Sequence, residues 1–87
     1  MELKTALPIL QSAIHKTWSQ IGFDVLECAE TCGESVDNWT AVEACLDADR
    51  LVLNGGDRVA QDLYRALIQE HGYDKVIDYL AKNISLN

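Results

Sequence analysis

ALPILQSAIHKTWSQIGFDVLECAETCG, residues 6–33, decides the fold class. Within it Leu7, Leu10, Ile14, Trp18 and Ile21 follow one another at spacings of 3, 4, 4 and 3. An α-helix turns once in ~3.6 residues, so this spacing lays all of them along one face. Thr5 stands where an N-cap belongs, and Pro8 falls in the first turn, where its missing N–H costs nothing. Gly22 supplies a C-terminal stop, which predicts a first helix over residues 6–21. Phe23-Asp24 then opens a second, short helix with Asp24 and Glu27 in capping-box spacing and Gly33 at its end. Val25, Cys28, Ala29 and Cys32 gather on one side of its wheel, with Asp24, Glu27 and Glu30 mostly opposite. A strand is the weaker reading there, because Ala29-Glu30-Thr31 lacks β-formers.

Outward from that stretch the same period recurs. Ser35, Asp37 and Thr40 compete to cap a third helix, Thr40 forming a capping box with Glu43. Its apolar stripe is Trp39, Val42, Cys45, Leu46 and Leu53, and Asn54-Gly55-Gly56 ends it. Asp49 projects into that apolar arc; it caps a break near Ala48, pairs with a base, or belongs to an interface. Asp57 caps a fourth helix, with Val59, Leu63, Ala66 and Leu67 inward and Tyr64 and Ile68 beside them. Gly72 stops that helix, and Asp74 caps a fifth with Val76, Ile77, Leu80 and Ile84 inward. Residues 83–87 are expected to fray. The expectation is one all-α domain, residues 1–87: a bundle of four to five short helices joined by tight Gly-containing turns.

Composition bounds the rest. At 87 residues and 48% hydrophobic content, the chain can build one core and is too apolar for disorder. Gln11, Ser12, His15 and Lys16 interrupt the apolar N-terminal run, so no secretory signal is expected. An odd count of three cysteines suits a reducing cytoplasm better than a disulfide framework. All three thiols are expected in the core; a thiol or zinc site at Cys28, Cys32 and Cys45 is the remote alternative, since zinc needs a fourth ligand. Trp18 and Trp39 lie on apolar faces and read as core, while Tyr64, Tyr73 and Tyr79 suit its edge with their hydroxyls wet. His15 lies off the apolar stripe, and His71 sits at a helix C-terminus, where a cation interacts well with the dipole. Neither histidine neighbours a nucleophile, and Gly55-Gly56 lacks the rest of a phosphate loop. No enzyme and no cofactor are therefore expected.

Charge is where the sequence departs from the ordinary. The formal net charge is −7, and residues 17–49 hold eight carboxylates and no Lys, Arg or His. Such a surface repels DNA, RNA and anionic membrane. It suits a basic protein surface, including that of a nucleic-acid-binding protein. Asp24, Glu27, Glu30 and Glu34 recur every three or four residues, ~4.5–6 Å apart along a helix, a pitch close to that of backbone phosphates. Glu43 and Asp47 supply a second row, and Asp37 stands between the two. The expected function is a small acidic interaction module that occupies a basic, nucleic-acid-binding surface of a partner and inhibits it. Its character is that of the proteins mobile elements use against host nucleases. A helical homo-oligomeric scaffold without such mimicry is the alternative.

Overall fold

The helix that begins near Leu3 runs on past Gly22. In the computed structural model, which describes residues 1–87, α1 spans Leu3–Thr31 as one unbroken helix of 29 residues. The expected first and second helices are therefore one. A mid-helix glycine costs roughly 1 kcal/mol relative to alanine, which is not enough to end a helix. A glycine stop commonly works by taking the left-handed conformation, and Gly33 rather than Gly22 does so, with φ +73°. Gly22 serves packing instead: a Cβ there would lie 2.8 Å from Trp18 Cε2, so the bare backbone lets the indole lie across it. The N-terminus is corrected as well. Glu2 holds the N-cap position without a side-chain bond, Thr5 lies inside the helix, and Pro8 falls beyond the first turn.

The expected third helix divides. Asp37 is its cap, accepting from Thr40 N at 2.7 Å, so Thr40 is a helical residue and its capping box does not form. α2 covers Asn38–Leu46, and a separate single turn, α3, covers Arg50–Leu53. Between them Ala48 takes φ +49°, a strained conformation for a residue with a Cβ. Side chains hold this break. Arg50 Nη1 donates to Ala44 O at 2.8 Å, Gln61 Nε2 to Ala48 O at 3.3 Å, and Arg65 bonds to Asp49. Asp49 occupies the N-cap position of α3 but makes no cap bond; it pairs with a base. Leu53, assigned to the buried stripe, is 78% exposed because the break rotates it out.

α4, Arg58–His71, is capped by Asp57, which accepts from Ala60 N at 2.9 Å. Leu67 is buried and Leu63 packs on the core as expected, but Ala60, Gln61 and Tyr64 complete the inner face, while Val59 and Ala66 point to solvent. Gly72, at φ +92°, turns the chain directly into α5, Tyr73–Asn83, so Asp74 lies in its first turn and is not its cap. Val76, Ile77 and Leu80 of α5 are buried, as the periodicity requires.

All five helices close on one core, and no strand is present. Leu10 and Ile14 of α1 meet Val42 and Cys45 of α2, Leu51 of α3, Leu67 of α4, and Ile77 and Leu80 of α5. Trp18 and Trp39 pack against its edge, half-buried. Gly55 marks the closest backbone approach. A Cβ there would sit 2.7 Å from both Leu51 O and the Thr17 hydroxyl. Residues 83–87 do not fray. Ile84 is buried, Asn38 Nδ2 donates to Ala81 O and Ile84 O, and Leu86 N donates back to Asn38 Oδ1 at 2.8 Å.

Candidate acidic interface

The last buried residue of α1 is Gly22, so residues 23–31 form an arm that overhangs α2. Beneath it lies an open cleft of about 530 Å³. Val25, Cys28, Ala29 and Cys32 form the arm's wall, and Val36, Thr40, Ala44 and Arg50 form the floor and far side. Asp24 and Glu34 stand on its border. A second recess adjoins the cleft, sharing Thr40, Ala44 and Arg50 with it and adding Glu43, Asp47 and Tyr73. A third recess shares Asp47 and Tyr73 and ends at Tyr64, Ile68 and Arg65. Together these three adjoining recesses form a furrow along α2, its first two recesses lined by four carboxylates against the single guanidinium of Arg50.

The seven acidic positions singled out in the sequence thus separate. Asp24, Glu34, Glu43 and Asp47 border the furrow. Glu27 and Glu30 are exposed on the opposite side of the arm. Asp37 is engaged as the cap of α2, and the hydrogen bonds from Thr40 hold its carboxyl below the usual carboxylate range. Asp49 is neutralised by Arg65.

Two tyrosines set the polarity of the far end. Tyr73, 41% exposed, donates its hydroxyl to Glu43 Oε2; burial, and then that bond, raise its pKa. Tyr64 is buried behind it, and burial together with the nearby Glu43 and Asp47 carboxylates pushes its hydroxyl up to about 12. Both stay protonated at neutral pH, so this end of the furrow offers carboxylates and the accessible ring of Tyr73. That combination is the one a Lys or Arg side chain favours.

The cysteines do not share one environment. Cys45 is core, and burial pushes its thiol up to about 12. Cys28 and Cys32 are exposed, against the expectation that all three are buried, because the arm carrying them leaves the bundle. They sit one turn apart on the cleft wall, away from Cys45. No group of three or more His, Cys, Asp or Glu side chains is placed to hold a metal ion. His71 Nε2 contacts Met1 O at 2.8 Å, and Met1 N pairs with Glu70, which ties the start of α1 to the end of α4.

Sequence reasoning missed Phe23. Read as the apolar residue before a new helix, it is instead 77% exposed at the root of the arm, with Leu26 46% exposed beside it. The signal was available: if α1 is continued through Gly22, ~100° per residue places Phe23 roughly opposite the Ile14–Ile21 stripe. The chain matches no known protein family, curated protein or solved structure. No helix is long and apolar enough to cross a membrane.

Proposed function

We propose that this chain is a small cytoplasmic, non-enzymatic interaction protein whose acidic furrow receives a basic segment of a partner protein. One observation carries the reading: carboxylates of the base-free stretch, from α1, the loop after it and α2, line adjoining recesses along α2. Field lines converge in a groove with low-dielectric walls, so recessed carboxylates attract a cation more strongly than the same number scattered over a convex surface. Glu27, Glu30 and Asp37 add to the field from outside the furrow. The apolar arm wall and the ring of Tyr73 give the aliphatic stems of Lys and Arg somewhere to lie. A partner surface that holds nucleic acid has this chemistry, and covering it would inhibit that partner.

The test separates location from net charge. An oligo-arginine peptide is titrated calorimetrically into the wild type, into an Asp24→Lys/Glu34→Lys/Asp47→Lys variant, and into an Asp62→Lys/Asp74→Lys/Asp78→Lys variant of equal net charge. Binding lost in the first and kept in the second supports the furrow, as does a steep fall of affinity with salt. Equal losses in both mean that the acids act only as net charge.

A further inference from the structure

The side of α1 turned away from the bundle has no partner within the chain. Ile9, Phe23 and Leu26 on it are 42%, 77% and 46% exposed. A phenylalanine left three-quarters in water forgoes most of its burial free energy, and here an apolar neighbour extends the patch instead of screening it. The charges along this face are ordered. Among the helical residues within roughly 60° of Phe23 on the wheel, Lys16 lies on the half before it, and Glu27 and Glu30 on the half after it. Lys16 and Glu30 are each seven residues from Phe23, two turns to either side, and seven residues return a helix to nearly the same face.

We infer that this face binds a second copy of the chain. The two α1 helices run antiparallel across a twofold axis at Phe23. Phe23 and Leu26 of one copy then cover those of the other. The twofold axis sets each Lys16 against Glu30 of the other copy, so the register that stacks the Phe23 side chains also pairs these ions. A parallel pair would instead set acid against acid. Ser12 and Ser19, exposed on the same side, are small enough to let the backbones approach. The interface is isologous, so it closes at two subunits. A single helix pair falls short of a standard interface of about 1,600 Å², and the dimer is therefore reversible. Both furrows open on the other side of their arms, so the dimer presents two of them, and this inference stands independently of what they bind.

Sedimentation equilibrium of the full chain over a range of concentrations tests it. The wild type is expected to pass from monomer to dimer without larger species. Phe23→Glu should remain monomeric with unchanged far-ultraviolet circular dichroism, since the side chain supports nothing inside the bundle. Lys16→Glu and Glu30→Lys should each weaken the dimer on the order of tenfold, and the double exchange should restore it. Glu30→Lys is the sharper of the two, because it brings the chain nearer neutrality and would strengthen any association limited by net charge. A wild type that is monomeric throughout overturns the inference. So does a dimer indifferent to Phe23→Glu, a double exchange that fails to restore association, or growth beyond two subunits. Should Phe23→Glu lose helicity, the charge exchange alone decides.

Discussion

Cys28, Cys32 and Cys45 show at the scale of one residue what composition hides. Burial of a free cysteine is a sound expectation for a side chain on the inner face of a packed helix, and Cys45 meets it. Cys28 and Cys32 occupy the corresponding face of a segment with no full layer beneath it. Native protein should therefore react with a soluble thiol reagent at two positions and at the third only after denaturation; labelling at one or none would place the arm against the bundle. Cys45 also makes stability depend on pH. Its folded pKa of about 12 lies above the ordinary 9.0, so the native state keeps a proton that the unfolded chain releases. That contribution is complete below pH 9 and is lost as pH rises towards 12, and Tyr64 acts in the same sense from 10.0 upward. The urea midpoint should fall across that interval, and Tyr64→Phe should make the fall shallower.

The errors of sequence reading cluster at the punctuation of the helices. Gly22, Thr5 and Asp74 each carry a signal that ends or begins helices elsewhere, and here each lies within one. Such signals are local preferences worth roughly 1 kcal/mol, and packing of the Trp18 indole over Gly22 or continuation of the apolar stripe outweighs them. Where the backbone takes up the local signal, as at Asp57, which caps the Ala60 amide, and Gly72, at φ +92°, the boundary was legible. The reverse holds at the end of the chain, whose order depends on Asn38, 46 residues before Ile84. No local pattern announces such a clamp. Asn38→Ala removes the partner of three bonds to the C-terminal segment and should cost about 2 kcal/mol. Hydrogen exchange at the Leu86 amide should quicken well beyond what the global change explains; a uniform change would show that the segment has another anchor.

For the molecule as a whole, the five-helix bundle was legible because Leu10, Ile14, Val42, Cys45, Leu67, Ile77 and Leu80 recur at helical spacing in segments long enough to count. The acidic surface was legible as charge and not as shape. Spacing placed Asp24, Glu27, Glu30 and Glu34 in a row, whereas the furrow takes Asp24 and Glu34 together with Glu43 and Asp47 and turns Glu27 and Glu30 away. The difference follows from the arm, which sets one side of α1 over α2 and leaves the other in solvent. The most direct measurement is a nuclear magnetic resonance footprint of an oligo-arginine peptide on the isotopically labelled chain. Amide shifts concentrated at Val25, Cys28, Thr40, Ala44, Asp47 and Tyr73 are the result expected. Shifts spread equally over Asp62, Asp74 and Asp78 would contradict the furrow as the binding site.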